Sequence, residues 1–187
     1  MDNSQITHWC HEVIRSQVKE GGRYIDATMG NGNDTLFLCE LAGENGYVTA
    51  FDIQEKALEH TKALLESHGV RKNFRLILDG HEHMAEYEKP DSMDLVCFNF
   101  GYLPGGDHRI ATRPETSVWA VKAGLSLLKH GGMMSLCIYS GGDTGFEEKG
   151  RILEYLRELS SKNYTVIVNE YYNRKNHPPM PVFLWKR

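Results

Sequence analysis

Several things are scarce or missing in this 187-residue chain, and each absence removes a class of protein. No apolar run approaches the roughly 20 residues that a membrane-spanning helix needs. The stretch Met1-Asp2-Asn3-Ser4-Gln5 carries no basic segment followed by an apolar one, so secretion is not expected. Cys10, Cys39, Cys97 and Cys137 are scattered through apolar segments without a CxxC pair. They read as reduced core thiols of a cytoplasmic protein. His81-Glu82-His83 is not HExxH and has no further ligands at metal spacing, so no metal site is expected. A basic excess is also missing: 21 Lys and Arg face 25 Asp and Glu, a net charge of −4. That balance counts against a general nucleic-acid binder while leaving room for a local basic face. Linkers, repeats and low-complexity tracts are absent, and residues 1–187 read as one domain.

What is present is organised around Asp26-Ala27-Thr28-Met29-Gly30-Asn31-Gly32-Asn33-Asp34-Thr35. A short strand, Tyr24 to Asp26, precedes the turn, and a helix starting near Asn33 and stopped by Gly43 follows it. A strand, a Gly/Asn turn and a helix hold nucleotide-like ligands outside the carboxyl end of the strand, near free N–H groups of the helix start. Gly30 and Gly32 permit positive φ and a close backbone approach. The dinucleotide pattern wants a third glycine where Thr35 stands, and the Gly-Lys-Ser/Thr of a P-loop is absent. Twenty residues past Gly32, the apolar run Tyr47 to Phe51 ends on Asp52, a carboxylate placed to accept both hydroxyls of a ribose. With Asp26 and Asp34 in the turn and no basic residue, a pyrophosphate has no partner. A positively charged nucleoside fits, which points to S-adenosylmethionine and its sulfonium.

Around this unit the chain alternates strands and helices, the pattern of an α/β fold with a mostly parallel sheet. Ile6, Trp9, Cys10, Val13, Ile14 and Gln17 share one face of a first helix, Gln5 to Lys19, which would cover an edge of the site. Gln54 to His68 is a helix closed by Gly69. Phe74 to Leu78 is a strand delivering Asp79 to the rim, where it could meet an adenine amino group, with His81 lining the same pocket. Met93 to Phe98 reads as a doubly covered central strand. Thr112-Arg113-Pro114-Glu115 reads as a capping box that starts a helix ended by His130-Gly131-Gly132. Met133 to Tyr139 is a strand and Glu147 to Ser161 a helix. Tyr164 to Tyr172 and Val182 to Trp185 are strands whose link, Asn173 to Met180, is too short for a crossover helix. The last two strands are therefore expected to be antiparallel.

The central strand brings Asn99-Phe100-Gly101-Tyr102 to the same rim as Asp26 and Asp52. Methyl transfer from a sulfonium is an in-line displacement, with the acceptor lone pair about 3–3.5 Å from the methyl carbon and aimed at it. Asn99 can accept a hydrogen bond from an amine N–H and turn the lone pair towards the methyl, without the charge that would hold an ammonium. Tyr102 can stack on a base or bond the amine. Arg109, Arg113, Arg174 and Lys175 lie on loops that would surround the acceptor and contact phosphates. His177 reads as a general base, a stacking partner or a solvated loop residue.

The turn Asp26 to Thr35, the segment Asn99-Phe100-Gly101-Tyr102-Leu103-Pro104-Gly105-Gly106-Asp107 and the tail from Asn173 to Pro179 together resemble a small family of rRNA methylases among the class I methyltransferases. The resemblance runs over nearly the whole chain. It implies the class I fold, a Rossmann-like seven-stranded sheet with the last strand antiparallel and helices on both faces. It also implies S-adenosylmethionine held by Asp26, Thr28, Gly30, Asn31, Gly32, Asn33, Asp34, Thr35, Asp52, Gln54, Asp79, His81 and Asn99. For characterised members it implies methylation of the aminomethyl group of 2-thiouridine at the tRNA wobble position, by a monomer or homodimer that grips an anticodon stem-loop. Gly105 and Asp107 would join Tyr102, Arg109, Arg113, Arg174, Lys175 and His177 on the substrate side. The chain has Asn-Phe-Gly-Tyr where many N-methyltransferases of planar amines have Asn/Asp-Pro-Pro-Tyr/Phe, so the stacking geometry there is open. A methyltransferase for a small amine metabolite or for rRNA, a non-catalytic binding module and a dehydrogenase are the competing readings. The intact Asn99 segment argues against the binding module, and Thr35 against the dehydrogenase.

Overall fold

A computed structural model describes residues 3–70, 72–101, 112–140 and 145–187. Its elements run α1 (Asn3–Gln17), β1 (Arg23–Asp26), α2 (Asn33–Ala42), β2 (Tyr47–Asp52), α3 (Glu55–Ser67) and β3 (Phe74–Leu78). A 3₁₀ turn (His81–His83) and the single-turn α4 (Met84–Tyr87) then lead into β4 (Met93–Phe100). The chain closes with α5 (Pro114–Leu127), β5 (Leu128–Ile138), α6 (Gly145–Glu158), β6 (Tyr164–Val168) and β7 (Met180–Lys186). The seven strands form one sheet in the order β3-β2-β1-β4-β5-β7-β6. β1 to β5 run parallel to one another, and β7 lies antiparallel between β5 and β6. This is the class I methyltransferase arrangement that the sequence leads one to expect.

Strand periodicity builds two cores from one sheet. Tyr24, Val48, Leu95, Cys97, Met133 and Phe183 face α1 and α2, where Cys10, Ile14, Phe37 and Leu38 meet them. Ile25, Phe51, Val96, Phe98, Met134 and Val182 face the opposite way, onto Met84 before β4, Val121 and Leu125 of α5 and Ile152 of α6. All four cysteines are buried free thiols.

Several boundaries differ from the sequence reading. Thr112 does not cap α5: its N-cap is Arg113, with no side-chain hydrogen bond. The Thr112 hydroxyl instead accepts from the Gly101 N–H at 2.9 Å, tying the end of β4 to the entrance of α5. β5 begins at Leu128 rather than Met133, because Leu128 pairs with Met93 ahead of an irregularity that includes Gly131 at φ +80°. β6 is shorter than expected and β7 longer, their pairing running from Tyr164–Lys186 to Val168–Val182. Trp9 lies on the apolar stripe of α1 yet is 47% exposed, whereas Ile6, Cys10 and Ile14 are buried. It is not a core residue.

The order of the strands fixes where a ligand belongs. From β1 the chain moves outward through β2 and β3, then returns to lay β4 on the other side of β1. Such a reversal opens a crevice outside the carboxyl ends of the two adjacent strands. Asp26 ends β1 and Asn99 stands near the end of β4. The ion pairs Arg23–Glu88, Lys129–Asp94 and Lys186–Asp91 join residues of the opposite edge.

Candidate active site

The turn after β1 is built by glycines and closed by carboxylates. Gly30 has φ 55° and Gly32 has φ 83°, a region that side-chain-bearing residues enter at a cost. Gly32 is needed for a second reason: a Cβ there would lie 2.6 Å from Thr61 Oγ1 and 2.9 Å from Thr61 Cα on α3. Its missing side chain makes room for α3 rather than for a ligand, which narrows the expectation of close ligand approach to Gly30. Asp52 holds the turn from the neighbouring strand. One carboxylate oxygen accepts from the Gly30 N–H and the other from the Gln54 N–H, both at 2.9 Å. Asn31 is half-buried on the turn, and Asn33 is exposed at the start of α2, whose N-cap is Gly32.

Asp26 is fully buried beneath this turn. It accepts from the Thr35 hydroxyl at 2.6 Å and from the Thr28 N–H at 3.2 Å. Burial, with the charge of Asp34 next in weight, pushes its carboxyl up to about 7. Thr35 therefore occupies the third glycine position for a reason: its hydroxyl satisfies a buried acid that a glycine would leave without that partner.

Asp34 joins three elements. One of its oxygens accepts from Asn99 Nδ2 on β4. The other lies 2.6 Å from His11 Nε2 on α1. The His11 ring stacks on Phe37, one turn along α2 from Asp34, at 3.8 Å and 9°. The Asn99 N–H donates to Thr28 Oγ1 at 2.7 Å, so both the backbone and the amide of Asn99 are held. Because a carboxylate accepts hydrogen bonds, the Asp34 contact assigns the amide nitrogen inward and leaves Asn99 Oδ1 as the acceptor. A cavity of about 10 Å³, near the scale of one water, lies beside this chain of bonds, lined by His11, Asp34, Phe37, Cys97, Asn99 and Cys137 among others.

Asp79 and His81 are not part of this chain of hydrogen bonds. The Asp79 carboxylate pairs with His83 at 2.9 Å and accepts from the Tyr87 hydroxyl at 2.7 Å, and these bonds hold it below the usual carboxylate range. His81 is 9% exposed, packs edge-on against Phe98 and Phe100, and lies beside the Ala27 backbone. Burial holds its ring below the usual histidine value. On the substrate side, Arg113, Arg174, Lys175 and His177 are exposed. β6 is parallel to β5, so the β6–β7 loop carrying the last three sits on the same rim as Asn99. The Arg174 guanidinium lies over the Tyr171 ring at 5.1 Å, and His177 meets Phe146 edge-on at 5.0 Å. Tyr102, Gly105, Asp107, Arg109 and the loop 141–144 lie outside the described residues.

Residues 48–185 match the model of the family described as "Putative rRNA methylase". The chain belongs to this family. It is 35% identical over 98% of its length to a chloroplastic tRNA (mnm(5)s(2)U34)-methyltransferase of Arabidopsis thaliana, spanning 70% of that protein. A Clostridium thermocellum structure carrying the same family description superposes with a TM-score of 0.93 at 45% identity, covering 97% of each chain. A candidate methyltransferase from Streptococcus mutans, solved in complex with SAH, superposes with a TM-score of 0.86 at 35% identity, again over 97% of each chain. Two residues next to the predicted site residues escape sequence reasoning, His11 beside Asp34 and Ile53 after Asp52. His11 was hidden within an amphipathic helix, where nothing in the spacing singles it out. Ile53 is 60% exposed directly after Asp52, and an apolar residue following a strand-end acid was the available signal.

Proposed function

We propose that this methyltransferase transfers one methyl group from S-adenosylmethionine to the exocyclic 5-aminomethyl nitrogen of 2-thiouridine at the wobble position of tRNA. When bound, the cofactor supplies an electrophilic methyl on a sulfonium. The residues present suit such a group. Asp34 and Asp52 both act electrostatically on the buried Asp26, and three carboxyl groups gathered there are favourable to a cation. Asp52 can take ribose hydroxyls on its remaining lone pairs, and Ile53 offers an apolar surface for the base.

The observation that carries the amine reading is the bond from Asn99 Nδ2 to Asp34. It leaves Asn99 Oδ1 as the amide atom that can accept from an amine N–H, so that the nitrogen lone pair can point at the methyl. Asn99 aligns the acceptor, and Tyr102 is assigned to stack on the base. Exposed Phe146 and Tyr172, with Arg113, Arg174, Lys175 and His177, offer aromatic and cationic groups of the kind that unstacked anticodon bases and phosphates use. The Arabidopsis relative is named for an activity of the same kind. The whole chain works as one catalytic domain in this reading, monomeric or homodimeric. A cytoplasmic setting fits its four free thiols. No described helix is long and apolar enough to cross a membrane, and the described residues contain no cluster that could hold a metal.

The test uses labelled cofactor with tRNA carrying the aminomethyl group and the same tRNA lacking it. Label is expected only in the first. Equal labelling would place the methyl on another atom. Labelling of neither, with transfer to a metabolite panel or to rRNA, would hand the acceptor to those substrates.

A further inference from the structure

We infer that His11 is a positioning residue for methyl transfer, which makes α1 part of the acceptor site rather than a cover over the sheet. The inference rests on the reading of Asn99 as the group that aligns the acceptor amine. The terminal torsion of an asparagine side chain is broad and nearly two-fold, so an unrestrained amide presents its oxygen and its nitrogen with similar ease. Only the oxygen can accept from an amine. Asp34 makes the choice by accepting from Nδ2. Asp34 has a soft terminal torsion of its own, and it holds the amide only if it is itself held. His11 does this at 2.6 Å from the second carboxylate oxygen.

The His11 ring is restrained in turn. Asp34 and Phe37 are three residues apart on α2 and so share a face of that helix. Asp34 grips the edge of the imidazole, while Phe37 lies parallel to its plane at 3.8 Å. Both His11 and Asp34 are largely buried, their side chains 19% and 17% exposed, which strengthens the contact relative to a surface pair. Three elements distant in sequence thus converge on one amide: α1 through His11, α2 through Asp34 and β4 through Asn99. Nothing in the local structure of α1 requires a histidine there, since Ile6, Cys10 and Ile14 already bury its apolar stripe.

The test compares His11→Phe, which keeps the stacking on Phe37 and loses the ring N–H, with His11→Gln, which keeps an N–H donor. His11→Phe is expected to lower kcat about tenfold. KM for tRNA and the cofactor Kd by calorimetry should stay within about twofold, since neither ligand loses a contact. His11→Gln should recover most of the loss. A second readout is independent of any substrate: the Asn99 side-chain amide resonance, assigned by its disappearance in Asn99→Ala. It should move in His11→Phe and return towards its wild-type position in His11→Gln. An unmoved resonance in His11→Phe, or equal loss of kcat in both variants, or failure of both to fold, would overturn the inference by showing a purely structural histidine. If no variant methylates tRNA, the substrate reading fails, while the amide resonance still decides the role of His11.

Discussion

Thr35 donates its hydroxyl hydrogen to Asp26 at 2.6 Å, and neither residue exposes any surface. This pair sits beneath the turn that the cofactor reading depends on, and it gives the site a titratable floor.

The first prediction concerns pH. The Asp26 carboxyl is raised to about 7 in the fold, whereas the unfolded chain titrates near the ordinary value of about 3.9. The folded state holds a proton that the unfolded state has lost. The stability this contributes is fully present below about pH 4 and is lost as the pH rises through about 7. Denaturant unfolding of the wild type relative to Asp26→Asn should therefore decline from pH 4 to 7 and level off above. A sulfonium favours the ionised acid, so S-adenosylmethionine affinity should rise with pH, by up to about tenfold between pH 6 and 8, and S-adenosylhomocysteine affinity should rise less. Parallel stability curves for the two proteins would show that Asp26 does not titrate in this range.

Asp52 holds the turn, and we propose that it also holds the ribose. Asp52→Ala removes the acceptor of the Gly30 and Gln54 N–H groups along with the proposed ribose contact. Cofactor affinity should fall by about 1.5–3 kcal/mol, the scale of a charge-assisted hydrogen bond. The melting temperature should fall as well. Calorimetry returning wild-type affinity would remove Asp52 from the cofactor site.

Gly32→Ala tests the packing of the turn on α3. The residue is at φ 83°, and the new methyl would meet Thr61. A left-handed backbone costs about 1–2 kcal/mol and overpacking about 1–3 more, so a loss of roughly 2–5 kcal/mol is expected in chemical denaturation. Gly32→Ala combined with Thr61→Ser should regain part of it. A neutral single substitution would mean that α3 can move away freely.

Asn99→Asp gives a sharper reading than truncation. It would set a second carboxylate against Asp34, where the amide now donates. Two such acids cannot both ionise cheaply, and one is pushed upward. A carboxylate also favours the protonated, unreactive amine. The pH–rate profile should move to higher pH and kcat should fall more than cofactor affinity. Full activity with an unmoved profile would show that Asn99 does not face the acceptor.

The sequence alone determined the order of elements and the rim. Strand ends at Asp26, Asp52 and Asn99 follow from apolar runs stopped by polar residues, and parallel alternation with helices puts those ends on one edge. It also determined the antiparallel β7, because the β6–β7 link is too short to cross the sheet. Tertiary structure decided what the polar groups of that edge do. Asp34 reaches partners that lie 23 and 65 residues away, at His11 and Asn99. Thr35 stands where a dinucleotide turn has glycine, and only the burial of Asp26 shows why a hydroxyl is there. Periodicity tells which face of a helix turns inward. It carries no information about which side chain of another element waits opposite, because that is set by how helices seat on a finished sheet.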